Sequence, residues 1–200
     1  QKRLQDVKVY INKLEKGLKP SEKSQRKELT LAERDERMKK ALAENRGKWS
    51  EMIVIPAGKF IMGTTEDEFI PEETPQHEVY LDSYYIDKYE VSNKDYKEFM
   101  KATGHAAPAY WDDPRLNKPE QPVVGVNWYD GSAFCEWKGK RLPTEAEWER
   151  AAKGPDGHAH YPWGHQLDPS KANYGQTVGH TTAVDSYPEG VSGFGAYNMA

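Results

Sequence analysis

The chain holds 200 residues, 36% apolar and 12% aromatic, with 28 Lys/Arg against 32 Asp/Glu for a net charge of −4. This is enough for one good-sized domain plus an extension, and the six Trp and twelve Tyr can build a core despite the polar average. No run of about 18 apolar residues occurs, which excludes a membrane-spanning helix in this sequence. The first residue is Gln1, so the lack of a visible signal peptide carries no weight.

Charge is divided unevenly. Residues 1–48 carry 15 Lys/Arg and 8 Asp/Glu, a net of +7, while the remainder nets −11. Such asymmetry separates an arm from a body. In the arm, Leu4, Val7, Ile11, Leu14 and Leu18 recur at spacings of three and four, an a/d seam that Pro20 ends. Thr30 and Glu33 then form the signature of a capping box, and Leu31, Met38 and Leu42 make a second apolar stripe that stops at Gly47. Residues 1–48 therefore read as a basic helical arm. Too short to hold a core, it needs another surface, either its own body or a partner in a larger complex. Its signs are interspersed ("ERDERMKK"), as on a solvated helix, which argues against nucleic acid as the partner.

The texture changes at residue 51. "MIVIPAGKFIMG" predicts a strand pair folded about its central "AG". "HEVYLDSYYIDKYEVS" follows, with Val79 and Leu81 alternating against polar neighbours as in a half-buried strand. Ser92 or Asn93 caps a helix that runs to about Ala102, turns Phe99 inward and stops at Gly104. Pro119 and Pro122 predict extended chain up to Asp130. "DGSAFCEWKGK" is a short helix with Phe134 and Trp137 on one side. Beyond Gly154, Gly, Pro, Asn and aromatic residues dominate without periodicity, predicting irregular loops packed on aromatic rings.

Between those regions lies "KRLPTEAEWERAAKG", Lys140–Gly154. Pro143 ends what precedes it, Thr144 is a good N-cap, and Glu147 three residues later completes a capping box. Glu145 sits in the first turn, where the helix dipole favours a carboxylate. Trp148 with Ala151 or Ala152 is the expected buried face. Glu145 and Glu147 could pass for an acid/base pair, but residues two apart on a helix point about 200° from one another. They do not converge on one atom, so the stretch reads as scaffold.

That stretch, followed by "YPWG" (Tyr161–Gly164) and "AN" (Ala172–Asn173), closely resembles the formylglycine-generating enzyme family, the sulfatase-modifying factors. "IPAGKFIMG", "YYIDKYEVSNKDYKEF", "PVVGVNWYDGSAFCEW" and "FGAYNMA" extend the resemblance in order through residues 51–200. It implies an α+β, loop-rich, C-type-lectin-like domain, with no counterpart for residues 1–48. Enzymatic members oxidise a sulfatase cysteine to formylglycine with oxygen and a copper ion held by two cysteines of the C-terminal part of the domain. Here the resemblance ends in mid-motif at Ala200, so a fragment is expected, and no catalytic or cofactor-binding residue carries over. Copper is implied only with that further cysteine pair.

Cys135 is the single cysteine. By composition it is either a buried small hydrophobe or half of a disulfide whose partner lies elsewhere. The resemblance matches it to a structural cysteine of some members that pairs with a C-terminal partner. The resemblance also implies calcium. Asn173 and the carbonyl of Tyr174 match ligands of one family site, and Asn198 matches the start of a second, as suits oxygen donors in irregular loops. Asn in turns is the plainer alternative.

His158, His160 and His165 cluster in "GHAHYPWGH", where His-x-His on a strand would put two rings on one face for zinc or copper. Some relatives bind iron through histidines, but they do so with an added helical domain, and residues 1–48 contain no His. "DEFIPEETPQHE" reads as an exposed acidic loop. Two functions follow as expectations. One is a non-catalytic accessory or binding subunit docked through its arm. The other is the N-terminal part of a copper-dependent oxidase acting on sulfatase-type polypeptides. Family habit implies an extracytoplasmic setting.

Overall fold

Pro56 interrupts what would otherwise be one long antiparallel ribbon. The computed structural model describes residues 51–65, 73–157 and 160–200. Strand β1 (Met52–Ile55) pairs with β4 (Tyr84–Asp87), and β2 (Gly58–Met62) pairs with β3 (His77–Leu81). Ile55 lies opposite Tyr84 and Gly58 opposite Leu81. Two residues are skipped on each side, so the register is the same in both halves. Proline has no N–H to give to the ladder, which accounts for the break.

The expected hairpin between the two apolar runs is therefore corrected. Both runs pair with residues 77–87, not with each other. In a two-residue loop of Ala57 and Gly58, Pro56 would belong to the closing pair, and it has no N–H to donate back across it.

Helix α1 (Asn93–Thr103) is capped by Ser92, whose hydroxyl accepts from the Asp95 N–H at 3.2 Å. It closes on Gly104, which at φ 74° takes the left-handed cap that glycine adopts at little cost. Helix α2 (Trp128–Trp137) starts two residues before the expected point. Asn127 caps it and Asp130 completes a capping box, with Asn127 N–H donating to Asp130 at 2.9 Å. Helix α3 (Glu145–Lys153) has the predicted Thr144–Glu147 box. Past it, one 3-10 turn at Pro188–Gly190 is the only named helix or strand among the described residues, as the loss of periodicity implied.

Two cores hold these pieces. Ile55, Tyr84, Ala151, Ala152, Ala196 and Met199 form one, joining the ribbon, α3 and the last residues of the chain. Tyr96, Phe99 and Phe134 form the other, between α1 and α2. Their rings pack 5.2–5.8 Å apart, stacked for Tyr96–Phe134 and edge-on for Phe99–Phe134. Trp148 is not the anchor of α3. It is 45% exposed, and the buried positions are Glu147, Arg150, Ala151 and Ala152. Two adjacent alanines bring the helix close to the strands, which leaves a ring as large as Trp148 on the flank.

The basic arm, the acidic loop between Met62 and β3, and His158 lie largely or wholly outside the described residues. Among the described residues no helix is long and apolar enough to cross a membrane.

Candidate functional site

The charged side chains of α3 are committed to backbone and neighbours. Glu147 Oε2 accepts from the Thr144 N–H at 2.7 Å, and both carboxylate oxygens accept from the Arg141 guanidinium at 2.7 and 2.5 Å. The Arg141 pair holds the Glu147 carboxyl below its ordinary value, with the Thr144 N–H adding to the effect. Tyr84 donates its hydroxyl to the Glu147 carbonyl. Burial pushes the Tyr84 phenol far up, so it stays a donor.

The same helix grips β2. Arg150 donates to the carbonyls of Pro56 (2.7 Å) and Gly58. Lys153 donates to those of Ile61 and Gly63, both at 3.0 Å, and pairs with Glu149 at 2.6 Å. Glu149 in turn accepts from the Gly63 N–H at 2.7 Å. Strand-edge groups that would otherwise be orphaned are satisfied by one turn and a half of helix. Glu145 is exposed and turned away from Glu147. Of the two carboxylates that resembled an acid and a base, Glu147 is tied into the helix cap and to Arg141, while Glu145 stands exposed.

Cys135 lies half-buried on α2 as a free thiol. Burial and the Asp87 carboxylate push the thiol up, and Lys140, which pairs with Asp87 at 2.6 Å, only partly offsets this. A protonated thiol is a poor nucleophile and a poor metal ligand. One such thiol does not make the two-thiolate set that suits Cu(I).

Other polar groups meet where α2 begins. His105 Nε2 lies 2.9 Å from Asp130 Oδ1, and its ring packs 4.8 Å from Phe99. The Asn127 N–H, with the His105 contact adding to it, holds the Asp130 carboxyl low. Beside them stands an open aromatic face. Trp128 and Tyr129 are 67% and 77% exposed with rings 5.3 Å apart. The Ala109 N–H donates to Gly125 O at 3.3 Å, which brings Tyr110, itself 67% exposed, alongside the Val126 segment.

The calcium candidates are in two places. Asn173 is exposed, its amide donating to His180 O at 2.9 Å, and the Tyr174 carbonyl accepts from the Thr177 hydroxyl at 2.5 Å. Asn198 has φ 54° and lies between the Glu90 carboxylate (2.8 Å) and the Val184 carbonyl (2.9 Å), with its amide donating to both. Glu90 is 108 residues away from Asn198, and nothing in the sequence marked it as a neighbour. Arg150 and Lys153 were likewise missed, because their partners are backbone carbonyls. Asn127 and Asp130, by contrast, carried a readable N-x-x-D capping signal.

The family model of the sulfatase-modifying factor enzyme 1-like domain matches residues 38–200, and the chain belongs to that family. Its loop-rich α+β architecture is the C-type-lectin-like fold. The formylglycine-generating enzyme of Thermomonospora curvata is 35% identical over 205 residues, covering 74% of this chain and 68% of that protein. Protein YfmG of Bacillus subtilis is 39% identical over 165 residues, 70% of this chain, and this chain spans about a third (33%) of its length. The solved structure of PvdO from Pseudomonas aeruginosa superposes with a TM-score of 0.61 at 30% identity, covering 76% of this chain and 68% of that one.

Proposed function

We propose that this part of the chain is the binding scaffold of a sulfatase-modifying-factor domain. It acts as a non-catalytic accessory subunit that holds a polypeptide partner. The carrying observation is that Glu147, Glu149, Arg150 and Lys153 are all engaged in fastening α3 to the strands. The thiol of Cys135 is protonated and half-buried. Left open are the exposed rings of Trp128 and Tyr129, 5.3 Å apart, and exposed Tyr110 on the segment that bonds Gly125, residues of the composition that anchors protein contacts. A sulfatase-type polypeptide is the partner class that the family suggests, and residues 1–48 are the second docking element. An extracytoplasmic setting belongs to the same reading.

Calcium belongs to it as well. At Asn198 the Glu90 carboxylate and the Val184 carbonyl meet at the side-chain NH2; turning that amide over would face its oxygen to the same place and complete a set of oxygens suited to Ca²⁺. At Asn173 and Tyr174 the groups serve a local turn, so Asn198 is the stronger candidate.

The likeness to the Thermomonospora curvata enzyme favours a second reading, in which this segment is the substrate-binding part of a copper-dependent oxidase. Copper would then be held by cysteines outside these residues and would supply the oxygen chemistry.

One assay separates the two. The full-length protein, loaded with copper, is incubated in air with a cysteine peptide of sulfatase type, and mass spectrometry follows aldehyde formation while fluorescence anisotropy follows binding. The accessory reading expects binding without conversion, with affinity falling about tenfold, or roughly 1.4 kcal/mol, in Trp128→Ala/Tyr129→Ala. Conversion to the aldehyde would overturn it in favour of the oxidase. Unchanged binding in the aromatic variant would remove that face from the proposal.

A further inference from the structure

The turn after α3 closes on itself. Tyr161 N–H donates to Gly164 O at 2.8 Å and Gly164 N–H returns to Tyr161 O at 3.0 Å, an isolated antiparallel bridge. Pro162 and Trp163 are the two loop residues. The Trp163 ring stacks on Tyr161, 5.5 Å away with 10° between planes, and its Nε1–H donates to Gln166 O at 2.9 Å. The turn is thus pinned by its own rings as well as its backbone.

In an antiparallel ladder, the pair beyond a mutually hydrogen-bonded pair is a non-hydrogen-bonded one. Side chains stand closest there, on one face. At this turn that pair is His160 and His165. Their ring centroids are 5.2 Å apart, with 71° between planes. Both are exposed, and neither imidazole has a hydrogen-bond partner among the described residues. Two imidazoles at this separation can direct lone pairs at one ion with metal–nitrogen bonds of about 2.0–2.1 Å.

We propose that His160 and His165 form a two-imidazole site for a divalent transition-metal ion, Cu²⁺ ahead of Zn²⁺. Imidazole suits both ions, and the general affinity order places copper first. No group of three His, Cys, Asp or Glu that could hold a metal occurs among the described residues. Water in the remaining positions would leave the site open and exchangeable. It differs in chemistry from a two-thiolate site, which selects Cu(I). It differs also from the His-x-His reading, because the second ring comes from across the turn.

The test is calorimetric titration of the tag-free, metal-free protein with Cu²⁺ and, separately, Zn²⁺. His160→Ala and His165→Ala are the test variants, with His158→Ala, His77→Ala and His180→Ala as controls. Native protein and the three controls are expected to bind one equivalent with the same affinity. Each test variant should bind at least about tenfold more weakly, the least loss seen even when only a ligand's supporting partner is removed. Circular dichroism checks that the variants fold, which exposed positions on a self-closed turn favour. Electron paramagnetic resonance of the Cu²⁺ form should show two coordinated nitrogens. Native-like affinity in His160→Ala or His165→Ala, or loss in His158→Ala with retention in His165→Ala, would overturn the proposal.

Discussion

Glu147 shows how one carboxylate can look catalytic in a sequence and be structural in the fold. It caps its own helix, pairs with Arg141, and its backbone carbonyl accepts from the Tyr84 hydroxyl. Its carboxyl is held below its ordinary value of 4.5, chiefly by Arg141. A depressed carboxylate contributes stability that is complete above that value and is lost as pH falls through it and below. Glu147→Gln is therefore expected to cost about 1 kcal/mol at pH 7, below the roughly 1.5–3 kcal/mol of charged hydrogen bonds because Arg141 is largely exposed. The cost should shrink in thermal melts run progressively below pH 4.5. A pH-independent penalty would mean that the charge is not what the site uses. The capping role of Glu147 was legible because it is encoded within three residues. The Arg141 pair was not, since six residues of separation across a proline leave its geometry open.

Among the elements, α3 was read from the sequence most fully and the strands least. Both ends of α3 are set by local chemistry, with the Thr144 box at one end and Gly154 at the other. The start of α2 was displaced because two prolines upstream dominated the reading, while Asn127 and Asp130 held an equivalent box. Thr144→Ala and Asn127→Ala should each destabilise the domain by about 1 kcal/mol in denaturant unfolding. Thr144→Asp should retain most of the stability, since aspartate caps as well. Equal loss in Thr144→Ala and Thr144→Asp would show that the hydroxyl does something other than cap. For the strands, the apolar pattern marked which residues are extended but not what they pair with. Pro56 works against the tight reversal that would have joined β1 to β2, because it has no N–H to close the pair around Ala57 and Gly58.

For the molecule as a whole, the last residues of the chain are fastened to its first strands. Tyr197 N–H donates to Lys88 O at 2.9 Å, Met199 enters the core of Ile55 and Tyr84, and Asn198 meets Glu90. An ion held there would tie the two segments together. Ca²⁺ at about 100 times its dissociation constant should add about 2.7 kcal/mol of stability, read as a rise of several degrees in Tm. Asn198→Ala should abolish the rise and Asn173→Ala should leave it. A native protein indifferent to Ca²⁺, or a rise that survives Asn198→Ala, would remove the ion from this place.

By itself the sequence determined the family, the loop-rich α+β class, the helices α1 and α3 with their caps, the presence of α2, and the capping role of Glu147. These follow from order along the chain, short-range spacing and local backbone chemistry. Only the tertiary structure decided that β1 and β2 seek the strands of residues 77–87, that Arg150 and Lys153 serve backbone carbonyls, and that Trp148 faces outward. The pairing of His160 with His165 belongs with them. Each of these depends on which distant or cross-turn group arrives at a given point in space. Packing and hydrogen-bond satisfaction settle that across the whole fold at once.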